Sequence, residues 1–261
     1  MGDENGEKNM RRKRMKKWKK LLFPPRCPGC DRILELWEEK EGFCPACRKE
    51  IRQVKDRCCM KCGKLLEVGG GIGLDSGKEY CNDCANNRHA FAQGRGVYVY
   101  RGPMKGSMYR FKYGNRRCYA RTYAADAERA LGGWIRRRDP QMIVPVPLYF
   151  GKRRKRGYNQ AEVWAKALGE RLGIPVEKRA LLRLRATRPQ KELNPAGRIY
   201  NLDRAFYARR DLVEGKRILL ADDIYTTGST MDAVAGELLA AGAVEVCCIS
   251  ICTGAEKSSL G

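Results

Sequence analysis

Short apolar runs, each followed by a polar turn and a helical period, recur along the second half of the chain. Residues 218–221 (ILLA) form one such run, and the polar residues that follow at once indicate a fully buried strand. Val234, Leu238 and Leu239 then recur at helical spacing and predict a helix over residues 230–241. The unit is therefore strand, loop and helix.

The same succession occurs upstream. Residues 142–148 predict a second buried strand, and residues 160–172 predict a helix with one apolar face. A strand at residues 97–100, a helix over residues 120–137 and a last buried strand at residues 243–255 complete the pattern. Strands that alternate with helices favour a parallel sheet, so the expected fold class is α/β.

The loop between the strand at 218–221 and its helix has the chemistry of a phosphate site. This phosphate loop, residues 226–230, is rich in hydroxyl groups and precedes a helix, where unsatisfied N–H donors and the helix dipole favour an anion. Two acids stand before it at the carboxyl edge of the strand, where carboxylates suit the vicinal hydroxyls of a ribose. The residues predicted to bind a phosphorylated ribose are Asp222, Asp223, Thr226, Thr227, Gly228, Ser229 and Thr230. The plainer alternative is a helix-capping turn.

Composition narrows the class of protein. With 261 residues, of which 43% are apolar, the chain can build a full core and has room for a second, smaller domain. No apolar run approaches the roughly 20 residues that span a bilayer, and the N-terminus lacks the apolar region of a secretory signal. We therefore expect a cytoplasmic protein. Its net charge of +23 favours phosphorylated partners, nucleic acid first among them.

Eight of the 13 cysteines fall in four C-x-x-C pairs, a spacing typical of structural zinc sites. Two pairs complete one tetrahedral shell of thiolates, so four pairs predict two zinc ions. We favour tandem ribbons, in which the first pair joins the second and the third joins the fourth, over a cross-braced module; redox-active dithiols are the rival hypothesis. The predicted ligands are Cys27, Cys30, Cys44, Cys47, Cys59, Cys62, Cys81 and Cys84. Cys247, Cys248 and Cys252 lie in the last strand and are expected in the core.

These patterns divide the chain into three parts: a basic N-terminal tail (1–25), a small double zinc ribbon (26–90) and the α/β domain (91–261). His89, the single histidine, is expected at the boundary between the last two, and a role as a metal ligand is the minor alternative. In the tail, residues 10–20 are strongly basic. They predict either an amphipathic helix for anionic lipid or nucleic acid, or a solubilising tail.

Two further basic segments lie in the α/β domain. Residues 105–117 interleave cations with Tyr109, Phe111 and Tyr113, which suits single-stranded nucleic acid. Alternatively, residues 111–114 (FKYG) place one lysine near the active site while the aromatic side chains face the core. Five consecutive cations at residues 152–156 predict a basic loop that neutralises an anion such as pyrophosphate.

The run ILLADDIYTTGST resembles the signature of type I phosphoribosyltransferases, which bind 5-phosphoribosyl-1-pyrophosphate (PRPP). Four C-x-x-C pairs, PVPL, RGYNQ and a run of spaced residues from Arg183 to Phe206 resemble, more specifically, the ComF family of competence-associated phosphoribosyltransferase-like proteins. The resemblance implies a parallel-sheet type I phosphoribosyltransferase-like domain preceded by a double zinc ribbon. It also implies PRPP with magnesium as ligand, and residues facing its pyrophosphate: Pro147, Leu148, Arg153, Arg156, Arg183, Thr187 and Gln190.

The ComF resemblance further implies a role in natural competence: the uptake and handling of single-stranded DNA at the cytoplasmic side of the membrane. Other competence proteins would be partners, and the basic tail would contact the membrane peripherally. The alternative is an active phosphoribosyltransferase in nucleotide salvage. Thr226 stands where many purine-using relatives carry an acid that serves as a base, so the resemblance assigns neither a catalytic residue nor an acceptor.

Overall fold

The computed structural model of the protein describes residues 24–55, 57–67, 72–73, 79–185 and 205–256. The basic segment of the tail, most of the glycine-rich stretch 68–77, Thr187 and Gln190 lie outside the described residues. Within the described part, each helix is too short or too polar to cross a membrane.

The elements are numbered in chain order. The helices are α1 (Pro45–Glu50), α2 (Asn82–Asn86), α3 (Pro103–Tyr113), α4 (Tyr119–Arg138), α5 (Phe150–Arg156), α6 (Gln160–Leu172), α7 (Arg210–Val213) and α8 (Ser229–Ala240). The strands are β1 (Leu65–Leu66), β2 (Ile72–Gly73), β3 (Glu79–Tyr80), β4 (Gln93–Val99), β5 (Met142–Pro145), β6 (Leu181–Arg183), β7 (Phe206–Ala208), β8 (Arg217–Tyr225), β9 (Glu245–Thr253) and β10 (Ala255–Glu256).

A four-stranded parallel sheet in the order β4-β9-β8-β5 forms the centre of the described structure and confirms the α/β prediction. Alternate residues of β8 face opposite sides: Leu219 packs towards α4 and α6, while Leu220 packs towards α8. Both faces are covered, which explains why the strands are apolar throughout. Cys247, Cys248 and Cys252 are buried in this core, as predicted.

Several predicted boundaries shift. Strand β8 continues past Ala221 because residues up to Tyr225 still pair with β9. The two acids therefore lie within the last residues of the strand. Strand β5 ends at Pro145 rather than 148. Pro147 has no N–H to continue the ladder. The basic loop predicted at 152–156 is wrong: these cations belong to helix α5, which Gly157 ends with a φ of +77°.

Residues 52–54, which lie between the second and third C-x-x-C pairs, run along the outer edge of the sheet beside β4. Val54 N–H donates to the Val97 carbonyl at 3.0 Å, and Val99 N–H donates to the Arg52 carbonyl at 2.9 Å. An exposed edge strand invites aggregation, and this segment covers it. The buried Asp126 carboxylate of α4 fixes the arrangement, because it accepts hydrogen bonds from Tyr98 Oη at 2.7 Å and Arg48 Nη1 at 2.6 Å.

Candidate functional site

The sulfur atoms of the four C-x-x-C pairs gather in two groups. The first cysteine cluster is Cys27, Cys30, Cys44 and Cys47, and the second cysteine cluster is Cys59, Cys62, Cys81 and Cys84; within each, all four sulfur atoms lie within 4.8 Å of one another. Sulfurs at about 2.3 Å from a tetrahedral zinc ion stand about 3.8 Å apart. The structure has Cys30 Sγ and Cys44 Sγ at 3.8 Å, and Cys62 Sγ and Cys81 Sγ at 3.6 Å. Both clusters therefore fit structural zinc, with the sequential pairing that tandem ribbons require.

The two clusters lie on opposite faces of the central sheet. The first packs into the core with α3, α4 and α6, and the second packs into the core with α8. The start of α4 holds the first: Asp31, just after Cys30, accepts from Arg116 Nη2 at 2.6 Å and from Tyr119 Oη at 2.5 Å. Zinc bound at each cluster would therefore support a different face of the α/β domain.

The acid pair and the phosphate loop stand together where β8 gives way to α8. Gly228 has a φ of +82°, and helix α8 begins at Ser229, so the loop's N–H groups precede the helix as predicted. The hydroxyls of Thr227 and Ser229 lie 3.0 Å apart. Thr226 is exposed, while Ser229 and Thr230 are half-buried. The loop thus offers backbone and hydroxyl donors without a carboxylate of its own.

Asp222 has an unusual electrostatic setting. Burial raises the pKa of Asp222 to about 7, and the adjacent Asp223 carboxylate adds to the effect. Its Oδ1 accepts a hydrogen bond from the Asp223 N–H at 2.8 Å. The raised pKa means that the ionised Asp222 carboxylate lowers the stability of the folded protein. Such destabilising groups are common where a ligand binds.

A lysine faces the acid pair from the end of helix α3. Lys112 Nζ lies 3.1 Å from Asp223 Oδ1, and both side chains are largely buried. Burial lowers the pKa of Lys112, but the carboxylates of Asp223 and Asp222 outweigh it and raise the pKa above its ordinary value. Lys112 is therefore a charged donor beside the predicted ribose site. It is absent from the set of pyrophosphate residues that the sequence indicated.

The RGYNQ segment holds this lysine in place. Tyr158 Oη donates to the Phe111 carbonyl, and Gln160 Nε2 donates to the Lys112 carbonyl at 3.3 Å. Asn159 Nδ2 donates to the Val146 carbonyl at 2.9 Å, within the strand-to-loop passage that contains PVPL. These bonds join the end of α3, the start of α6 and the end of β5, so the segment builds the wall that presents Lys112 to the acid pair.

Further cations surround the acid pair. Burial lowers the pKa of Arg183, and the nearby Asp222 carboxylate opposes this effect. Burial also lowers the pKa of Lys152, with Arg183 and Arg156 contributing. Arg156 lies over the Tyr113 ring at 4.9 Å and donates to the Tyr113 hydroxyl at 3.0 Å. Together these side chains form a positive wall opposite two acids.

Not every predicted pyrophosphate residue joins this wall. Arg153 points elsewhere and pairs with Glu162 of α6 at 3.4 Å. Pro147 and Leu148 are half-buried in the loop after β5, beside the carboxyl end of β8. Thr187 and Gln190 lie outside the described residues. One interpretation of the sequence placed a lysine of residues 111–114 near the active site, and Lys112 takes that position. Lys152 belongs to the run of cations that was predicted to neutralise pyrophosphate. Only tertiary packing shows which cations of each run face inward.

The aromatic and basic segment 105–117 divides between its two predicted roles. Phe111 is fully buried in the core, whereas Tyr109 and Tyr113 are 66% and 55% exposed and form a tilted pair at 5.2 Å. Arg110 and Arg116 are engaged by the first ribbon, since Arg110 Nη2 donates to the Gly29 carbonyl at 2.6 Å. The segment therefore supplies one lysine to the site, one ring to the core and two rings to the surface.

Comparison with known proteins finds two domain families in the chain. Residues 18–85 match the double zinc ribbon domain family, and residues 158–260 match the phosphoribosyl transferase domain family. The chain is 30% identical over 241 residues to the DNA utilization protein YhgH of Salmonella typhi, which covers 88% of this chain and 98% of that protein. It is 29% identical over 230 residues to competence protein F of Haemophilus influenzae, covering 86% of this chain and 95% of the relative.

A third relative is the competence protein ComFC of Bacillus subtilis, 27% identical over 217 residues, covering 81% of this chain and 83% of the relative. Among solved structures, the glutamine PRPP amidotransferase of B. subtilis complexed with ADP and GMP matches with a TM-score of 0.35 and 22% identity, over 54% of this chain and 30% of that one. A purine phosphoribosyltransferase from Pyrococcus horikoshii matches with a TM-score of 0.31 and 22% identity, over 49% and 70%. Because relatives are matched over nearly their whole length and both domain families occur in order, the chain belongs to the ComF family of competence-associated proteins, in which a double zinc ribbon precedes a phosphoribosyltransferase domain.

Proposed function

We propose that this protein binds PRPP together with Mg²⁺ at the carboxyl ends of β5 and β8. The observation that carries the proposal is the juxtaposition of the acid pair, the phosphate loop and the wall of cations. Two carboxylates accept the ribose hydroxyls, and a helix N-terminus rich in hydroxyl groups takes the 5′-phosphate. Lys112, Lys152 and Arg183 neutralise the pyrophosphate, for which Mg²⁺ supplies further positive charge when bound.

Lys112 has a second role in this proposal. Without ligand it neutralises Asp223, and it shares that carboxylate with a ribose hydroxyl when PRPP is bound. An ammonium can form three hydrogen bonds, so it contacts acid and ligand at once. Asp222 is a stronger hydrogen-bond acceptor when ionised than when protonated. The positive charge of bound Mg²⁺ would favour the ionised form.

The proposed cellular role is the handling of single-stranded DNA during natural competence, in the cytoplasm and at the inner face of the membrane. Competence protein F and ComFC are named for competence, and YhgH is named for DNA utilization. The exposed pair Tyr109 and Tyr113 supports DNA contact, because exposed rings stack bases. Helix α5 carries exposed cations next to them. The chain's net charge of +23 acts in the same direction.

Calorimetric titration tests the ligand and the chemistry in turn. PRPP with Mg²⁺ is expected to bind with one site per chain, and ribose 5-phosphate to bind more weakly because it lacks the pyrophosphate. A screen for pyrophosphate release with free bases then separates a binding protein from a working transferase. Release that depends on one base would establish a salvage enzyme, whereas binding without release supports a PRPP-dependent competence protein. No heat with PRPP at any Mg²⁺ concentration would remove the proposal.

A further inference from the structure

Both flanks of the phosphate loop rest against the second cysteine cluster. Tyr225 precedes the loop and Asp232 follows it in the first turn of α8. Each is in contact with residues that belong to, or adjoin, that cluster.

His89 connects the cluster to the far flank. Its Nδ1 lies 3.0 Å from Asp232 Oδ2, and because a carboxylate only accepts, the imidazole is the donor. The neighbouring Ala90 N–H donates to Asp232 Oδ1 at 2.6 Å, so both oxygens of this carboxylate are held. The other imidazole nitrogen, Nε2, is buried and faces Asp83 Oδ2 at 3.6 Å, and the sulfur of the ligand Cys84 lies within 4.8 Å of this pair.

The imidazole has little freedom to move. The side chain of His89 is 5% exposed, and its ring stacks on Phe91 at 5.0 Å between centroids. Phe91 is itself fully buried and meets the Tyr225 ring edge to face at 6.3 Å. His89, Phe91 and Tyr225 therefore form one packed row from the far flank of the loop to the near flank.

Tyr225 supports the turn of the loop from below. A Cβ on Gly228 would stand 2.4 Å from the Tyr225 hydroxyl oxygen, so the loop backbone lies directly on this side chain. The Tyr225 hydroxyl is buried next to the second cluster, whose Cys62 and Cys84 sulfurs are among its electrostatic neighbours. If the four cysteines separated, both Tyr225 and His89 would lose the surface that holds them.

We propose that the second zinc centre positions the phosphate loop, so that zinc occupancy of this cluster and PRPP affinity are thermodynamically coupled. His89 is the positioning residue that carries the coupling to α8. The inference rests on the proposed PRPP site. Coupling is reciprocal, so PRPP must hold zinc in the second cluster as strongly as zinc there favours PRPP. The first cluster lies on the other face of the sheet and serves as an internal control.

The test follows each cluster separately in the full-length, zinc-loaded protein. A zinc-selective chelator that leaves Mg²⁺ in solution is added with N-ethylmaleimide, and peptide mass spectrometry records how fast the cysteines of each cluster are alkylated. With saturating PRPP and Mg²⁺, we expect alkylation of the second cluster to slow at least threefold and that of the first cluster to stay unchanged. Equal slowing of both clusters, or of neither, would overturn the coupling.

Two substitutions of the same histidine isolate the link to α8. His89→Asn keeps a donor where Nδ1 stands, whereas His89→Gln places its donor where Nε2 stands and loses the bond to Asp232. We expect about tenfold weaker PRPP binding and no PRPP-dependent protection in His89→Gln. In His89→Asn, affinity should stay within about threefold of wild type, with two zinc ions per chain in both variants.

The outcomes separate this proposal from the PRPP site itself. If wild type binds PRPP but the two variants behave alike, the positioning role of His89 is wrong and the PRPP site stands. If wild type binds no PRPP, both proposals fall. The alkylation experiment uses wild type alone, so it tests the coupling even if a substituted chain misfolds.

Discussion

Asp222→Asn should stabilise the protein above neutral pH while weakening its ligand site. The native pKa of about 7 lies above the ordinary value of 3.8, so the folded protein keeps a proton that the unfolded chain has already lost. Wild type therefore loses stability as the pH rises from about 4, and the loss is complete above about 7. The asparagine retains an oxygen for the Asp223 N–H and carries no charge to bury.

The magnitude follows from the two pKa values. At pH 8 the buried carboxylate costs about 4 kcal/mol relative to the protonated state, and at pH 5.5 it costs about 2 kcal/mol. The advantage of Asp222→Asn should thus grow by about 2 kcal/mol between these pH values. For a chain of this size, that corresponds to roughly 4–8 °C in Tm.

Thermal unfolding of both proteins at the two pH values measures this difference. Loss of zinc at low pH affects both alike and cancels in the comparison. Glu170→Gln, at an exposed position of α6, removes the same charge without burial and corrects for the large net positive charge. A gain that is the same at pH 5.5 and pH 8, or a variant less stable than wild type at pH 8, would refute the account of Asp222.

Three further outcomes are expected. Elemental analysis should find two zinc ions per chain, and one or fewer in intact reduced protein would contradict the double ribbon. Lys112→Met should weaken PRPP binding at least tenfold in titration, because a charged hydrogen bond is worth about 1.5–3 kcal/mol; unchanged affinity would exclude Lys112 from the site. Single-stranded DNA should bind with a steep salt dependence: Arg154→Ala with Lys155→Ala should lower the slope by up to about 1.4, whereas Tyr113→Ala should weaken binding at every salt concentration. Identical behaviour of both DNA variants and wild type would place the DNA contact elsewhere.

Local patterns predicted much of this fold because each has a direct physical cause. The helix at residues 160–172 was predicted with the same bounds that the structure shows, since Asn159 caps its start and Gly173 ends it in the left-handed region. The spacing of the eight cysteines favoured sequential pairing over a cross-braced module, and the two groups of sulfur atoms confirm it. The chemistry of residues 222–230 was legible because hydroxyls, acids and a helix start follow one another directly.

Features that depend on tertiary contacts could not be predicted from the sequence. Residues 150–156 form a helix, but their run of cations shows no apolar period, so the segment was predicted to be a loop. The position of Lys112 depends on Tyr158 and Gln160 of RGYNQ, which lie more than 40 residues away and donate to backbone carbonyls of α3. His89 was placed at the domain boundary, but its contact with Asp232 bridges 143 residues of sequence, a separation that no local pattern encodes.

The most direct test of the central claim is calorimetric titration of PRPP with Mg²⁺ into wild type and into the double variant Asp222→Asn/Asp223→Asn. The account predicts saturable binding to wild type at one site per chain. We also expect loss of that binding in the double variant, with an unchanged circular dichroism spectrum, because the ribose hydroxyls then meet neutral amides in place of two charged carboxylates. Equal affinity for PRPP in the folded double variant would contradict it.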